Sequence, residues 1–213
     1  QVIREQYFVK PANELVKLSE SNPYRCSWKR DQNYYMAWGA TVMTNYSRAL
    51  LIAHSLTHDE RFRVVAALNA DFMLGANPMG MCWTTGLGYV YPIDIQHGVS
   101  KTDGILDPVP GITLYGITGG VARPVRVGIW NASSPGDPTS RVSFFEGDMP
   151  VWRQWSCHPN LNTGQCEFTV HETMSSTIFT SAMLLGQGWT PPEALKLRGP
   201  RRADLLFGYW YLP

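Results

Sequence analysis

The sequence predicts an all-α protein whose helices are separated by long glycine- and proline-rich loops carrying short strands. Three observations predict it. Apolar residues recur at helical spacing through residues 44–60, 59–75 and 167–186. The first two stretches abut with almost no link, as in an antiparallel helical hairpin. Between 75 and 165 the periodicity fades while Gly and Pro recur, and short apolar runs such as VGIW and VSFF alternate with turns.

Each element follows from local signals. Residues 1–20 carry Val2, Ile3, Tyr7, Val9, Leu15, Val16 and Leu18, with Asn22-Pro23 as the stop; Pro11 breaks this helix or begins a second one. A polar aromatic loop, SNPYRCSWKRDQNYYMAWGA, comes next. TNYSRALLIAHSLTHDE then gives a helical stripe through Leu50, Leu51, His54 and Ser55, where His54 reads as a core polar residue rather than a catalytic one. In DERFRVVAALNADFMLGANP, acidic residues open the first turn and Gly75 closes the last. The final helix, EFTVHETMSSTIFTSAMLLG, recurs through Val170, Met174, Ile178, Ala182 and Leu185, and a polar, proline-bearing tail follows it. Residues 1–213 are read as a single domain.

Composition narrows the function. A net charge of +1 leaves no electrostatic footprint for nucleic acid. No run of about eighteen apolar residues spans a membrane, and VIREQYFVKPANELVK reads as an amphipathic helix rather than a signal peptide. Aromatic residues reach 12% against 16% charged, and the eight Trp and ten Tyr suit a polar surface or a ligand groove.

Cys26, Cys82, Cys157 and Cys166 fit no zinc spacing, and neither a metal site nor a cofactor is expected. A disulfide between Cys157 and Cys166 would close the PNLNTGQ loop, with free buried thiols as the alternative. Of two N-glycosylation sequons, Asn131 in NASSPGDPTS is the exposed one, whereas Asn45 falls in a helix. Cysteines and sequon together point to a secreted, extracellular protein.

Residues 74–88, LGANPMGMCWTTGLG, form a glycine-punctuated aromatic loop directly after a helix. The stretch resembles the Leu-Gly-x-Asn-Pro-x-Gly-x-Ser-Tyr-Val-Thr-Gly-Phe-Gly loop of glycoside hydrolase family 9, without a gap, with Cys82, Trp83 and Leu87 at the Ser, Tyr and Phe places. Ala37-Trp38-Gly39 resembles the family's Trp-Gly before a barrel helix. Tyr91-Pro-Ile-Asp-Ile-Gln-His-Gly holds His97 of a Pro-x-x-Pro-His-His-Arg stretch and lacks its arginine. Asp107-Pro-Val-Pro-Gly is similar to the Pro-Gly segment that comes next. Gln165-Cys-Glu-Phe-Thr-Val-His resembles the opening of the last barrel helix, where the glutamate is the general acid.

The resemblance covers roughly residues 34–116 and 148–186. It implies the C-terminal part of an (α/α)6 barrel and an inverting hydrolase of β-glycosidic bonds in a polysaccharide or oligosaccharide, cellulase-like in type. Glu167 would be the acid, with Glu172 its rival. His97 and Arg153 would position the sugar, Trp38 and Trp83 would offer stacking faces, and His171, at i+4 from Glu167, would share its helix face.

Donation by Glu167 requires a raised pKa, which burial among aromatic rings favours and a helix N-terminus opposes. Inversion needs a base about 6.5 to 9.5 Å away. The family's Asp-Ala-Gly-Asp-like motif is missing here, so the base is expected from an N-terminal remainder of the same domain; Asp94, Asp103, Asp107, Glu146 and Asp148 are the internal candidates. A non-catalytic, carbohydrate-binding or structural relative is the alternative. A structural calcium stays open, with no Asp-rich calcium loop present.

Overall fold

The computed structural model describes residues 2–28, 39–117, 166–170, 173 and 175–186. Its helices are α1 (Val2–Arg4), α2 (Lys10–Ser21), α3 (Gly39–Thr57), α4 (Glu60–Leu74), α5 (Gly98–Thr102) and α6 (Ser175–Leu185). A π-helical stretch, Glu5–Val9, joins α1 to α2. No helix among the described residues is long and apolar enough to cross a membrane.

Pro11 begins a helix, one of the two readings expected of it: it stands in the first turn of α2, directly after the π-helical stretch. Arg4 and Lys10, which flank the π-helical stretch, both keep right-handed helical angles, and the Lys10 N–H donates to Glu5 O, five residues back. Proline lacks an N–H and its ring presses on the carbonyl four residues earlier. A widened π turn accommodates both defects while the backbone stays helical. The face that follows is amphipathic: Ala12, Leu15, Val16 and Ser19, at i, i+3, i+4 and i+7, are all buried.

The expected hairpin is present, and its link is the two residues His58 and Asp59. His58 adopts φ 59°, and its N–H donates to His54 O at 2.7 Å, which closes α3. Asp59 caps α4 by accepting from Arg61 N at 3.0 Å. His54 belongs to this corner, since its Nδ1 meets Asp59 O at 3.1 Å and its Nε2 lies 3.7 Å from Glu60.

Helix α3 packs against α2, α4 and α6. The core between these helices contains Ala12, Leu15, Val16, Leu50, Leu51, Ala53, Phe62, Val65 and Ala66, with Leu184 of α6 against it. A second cluster, Cys26, Trp28, Phe72, Met73, Met81, Trp83 and Ile117, fastens the end of α4 to two loops. Burying each large apolar side chain is worth about 1.5–3 kcal/mol, so these clusters fix the platform beneath the loops. Among the described residues the β-structure is one isolated antiparallel bridge, Thr84 with Thr113. The runs VGIW and VSFF lie outside the described residues.

The last helix begins later than its periodicity predicts. Residues Glu167 to Thr169 are not helical, and the regular helix starts at Ser175. The reason is visible in the backbone: Gln96 N donates to Cys166 O at 2.9 Å and Tyr115 N to Glu167 O at 3.0 Å. Those carbonyls are therefore turned sideways to neighbouring loops and do not follow a helix axis.

Candidate active site

The loop after α4 is tied by one side chain. Buried Asn77 donates through Nδ2 to Phe72 O and Met81 O, both at 2.7 Å, and accepts at Oδ1 from Met79 N and Met81 N at 3.0 and 3.3 Å. An asparagine has two donors and an acceptor oxygen on one planar group, so it can serve both senses of backbone at once. Ser27 is fixed to α4 in the same manner, its N–H donating to Asn69 Oδ1 at 2.7 Å while Asn69 Nδ2 donates to Ser27 Oγ at 3.1 Å.

Residues 83–85 then pair with 111–114. Leu114 N donates to Trp83 O at 2.9 Å, Thr85 N to Ile112 O at 3.0 Å and Gly111 N to Thr85 O at 2.8 Å. The Thr85 hydroxyl donates to Val109 O at 2.6 Å and accepts from Ile112 N at 3.0 Å. Gly86, at φ +72°, sits so close to Pro110 that a Cβ there would lie 2.6 Å from the proline Cβ. The Asp107-Pro-Val-Pro-Gly segment is thereby held down on the glycine-rich loop.

Trp83, expected to offer a stacking face, lies in the core at 1% exposure, and a Cβ on Gly116 would come within 3.2 Å of its indole ring. Trp83 supports the loop from beneath and has no open face for a sugar. Trp38, Arg153, His171, Glu172, Asn131 and Cys157 lie outside the described residues. Cys166 is fully buried, and no disulfide is present among the described residues. The backbone at Glu167 itself is not helical.

The structure does bring Glu167 and His97 into one neighbourhood. The segment Cys166-Glu167-Phe168 lies between Gln96 and Tyr115, bonded to both through its backbone. Phe168 packs on the small cluster Ile95, Ile112 and Leu114 and meets the His97 ring edge-on, with centroids 5.6 Å apart and planes at 67°. Glu167 is half-buried. A carboxyl in that position is partly desolvated yet reachable, which is what proton donation to a leaving oxygen requires.

His97 is also the N-cap of α5. Its Nδ1 accepts from Ser100 N at 3.4 Å and lies 2.8 Å from Ser100 Oγ. Neither the Asn77 knot nor the Ser100 contact was anticipated from the sequence. The Asn-Pro pair and the spacing of three between His97 and Ser100 are signals that could have found them.

Two of the internal carboxylates serve the loops. Asp103 Oδ1 accepts from Ile105 N at 2.9 Å, and Asp107 Oδ1 accepts from Tyr91 OH at 2.8 Å. Asp94 lies 3.9 Å from Lys101 on the wall of a cleft of about 380 Å³, lined also by Ile93, Ile95, Ser100 and Leu106. That cleft is not built around Glu167. Glu146 and Asp148 lie outside the described residues. Among the described residues no group of three or more His, Cys, Asp or Glu is placed to hold a metal ion.

The sequence profile of glycosyl hydrolase family 9 matches residues 4–122. A xyloglucan-specific endo-β-1,4-glucanase of Bacteroides ovatus is 31% identical over 110 residues, covering 51% of this chain and 19% of that protein. Endoglucanase 3 of Oryza sativa subsp. japonica is 29% identical over 87 residues, or 41% of this chain and 17% of that one. Among solved structures, a single-mutant thermostable endoglucanase from Alicyclobacillus acidocaldarius superposes with a TM-score of 0.65 at 22% identity, covering 86% of this chain and 31% of its own.

The match thus spans about a fifth of the curated relatives' length and under a third of the solved structure. The helices described above are part of the (α/α)6 barrel of those structures. Since the profile runs through more than half of the 213 residues and the fold agrees with it, this chain belongs to glycosyl hydrolase family 9.

Proposed function

We propose that the protein hydrolyses β-glycosidic bonds in a glucan by an inverting acid/base mechanism, with Glu167 as the general acid. The observation that carries the reading is the meeting of His97 and the Glu167 segment, which are far apart in sequence yet joined by the Gln96–Cys166 backbone bond and the His97–Phe168 ring contact. In this reading Glu167 protonates the departing glycosidic oxygen while a carboxylate on the other side of the sugar takes a proton from water. The base is assigned, as the resemblance to the family implies, to an aspartate of the N-terminal part of the domain. His97, with Arg153 and Trp38, would hold the sugar. The names of the relatives make a β-1,4-glucan backbone, with or without xylosyl branches, the substrate to test first.

Glu167→Gln in the full-length protein is expected to lower kcat on cello-oligosaccharides or xyloglucan about 10²–10⁴-fold with the fold intact. Turnover within a few-fold of the parent would sink the assignment. A second reading, a carbohydrate-binding relative without catalysis, is favoured by Gly98, which stands where the resemblance expects arginine. It predicts glucan binding that Glu167→Gln leaves unchanged and no release of reducing ends by the parent.

Secretion, glycosylation at Asn131 and the Cys157–Cys166 bridge belong to the same proposal. Non-reducing peptide mapping of the native protein tests them together, and an unmodified Asn131 with both thiols alkylated would reject them.

A further inference from the structure

We propose that Ser100 is a positioning residue that fixes His97 in its Nε2–H tautomer, so that the imidazole presents a donor to a glycan hydroxyl oxygen. The hydrogen bonds decide the tautomer. Val109 N–H donates to Ser100 Oγ at 3.0 Å, which uses that oxygen as an acceptor. The hydroxyl hydrogen is then available to His97 Nδ1, 2.8 Å away. Ser100 N–H is directed at the same nitrogen at 3.4 Å. A hydrogen on Nδ1 would face the backbone donor of Ser100 and leave the hydroxyl hydrogen without this partner. Nδ1 is therefore the lone-pair nitrogen, and in a neutral imidazole the hydrogen resides on Nε2.

The ring plane is held as well. Phe168 meets the imidazole edge-on, and the backbone N–H of His97 donates to Ile95 O at 2.8 Å, which fixes the main chain that carries the ring. Val109 itself is tied by the Thr85 hydroxyl, which donates to Val109 O. The chain of contacts thus runs from the glycine-rich loop through Val109 and Ser100 to His97, and it sets which nitrogen donates. Such an outer partner fixing a histidine tautomer acts as it does at metal-bound histidines, here with no metal required.

The ligand in this inference rests on the hydrolase reading; the tautomer does not. The test uses the full-length protein with histidine ring nitrogens labelled, and His97→Gln identifies the resonances. At alkaline pH the parent and Ser100→Thr are expected to show a protonated Nε2 and an unprotonated Nδ1 at His97. Ser100→Ala is expected to show a tautomer mixture and to raise KM for cellohexaose about tenfold, with kcat much less affected.

A protonated Nδ1 in the parent, or a Ser100→Ala spectrum identical to the parent's, overturns the inference whatever the activity. A parent that neither cleaves nor binds cellohexaose but shows the Nε2–H tautomer removes the hydrolase reading and the sugar ligand, and leaves the Ser100–His97 relay standing.

Discussion

A single amide holds the loop on which the site is built. Asn77 makes four hydrogen bonds to the backbone of Phe72, Met79 and Met81 while itself nearly inaccessible. Truncating it strands buried carbonyl and N–H groups that water does not reach, and each such group costs about 1–3 kcal/mol. Not all four bonds are lost in full, because the loop relaxes; Asn77→Ala is expected to destabilise by about 3 kcal/mol. The local readout is hydrogen exchange at the Met79 and Met81 amides, which should accelerate before the rest of the chain opens. Unchanged exchange there would mean that the Gly–Pro backbone alone keeps the turn. The asparagine was legible in the sequence only as part of a resemblance, because its partners are carbonyls and carry no sequence mark.

At the level of elements, the hairpin of α3 and α4 was readable because everything that makes it is local. The apolar stripe, the Asp59 cap and the acidic first turn all lie within the segment they shape. The last helix was not readable at its start, since its first carbonyls are claimed by Gln96 and Tyr115, which are distant in sequence. The π turn before Pro11 escaped for a related reason: a proline announces a defect without saying how the chain absorbs it.

The hairpin link yields a prediction of its own. His58 is exposed and held at φ 59°, a region that costs a side chain with a Cβ and costs glycine little. His58→Gly should therefore stabilise the protein by up to about 1 kcal/mol, whereas His58→Val should destabilise it by a similar amount. Thermal melts of the two variants check the sign, and equal Tm values would show that the link adapts its backbone without cost.

Across the whole molecule, the fold class was written in helical periodicity, whereas the site depends on loops meeting from 75–88, 95–115 and 166–168, a juxtaposition that no local pattern encodes. Trp83 illustrates the limit. An aromatic in a glycine-rich loop suits a stacking role, and only the packing against Gly116 and the α4 end shows it to be core. The same packing makes stability depend on pH through the cysteines.

Cys26 is fully enclosed beside Trp28 and Phe72, and burial pushes its thiol up from 9.0 to about 12; burial raises the Cys82 thiol too. A thiol whose folded pKa lies above its unfolded value contributes stability in full below the unfolded value and loses it as pH climbs through the folded one. Between about pH 9 and 12 the Cys26 contribution should fall by something on the order of 4 kcal/mol. Other groups titrate in that range, so the comparison that isolates the thiol is Cys26→Ser against the parent. Urea unfolding at about pH 8 and about pH 10.5 should show a flatter loss in the variant, because a serine hydroxyl does not ionise there. The native thiol should likewise resist alkylation until the protein unfolds. Parallel losses in parent and variant, or rapid labelling of Cys26 in the native state, would mean that this loop opens readily and that the cluster at the end of α4 does not hold the platform beneath the site.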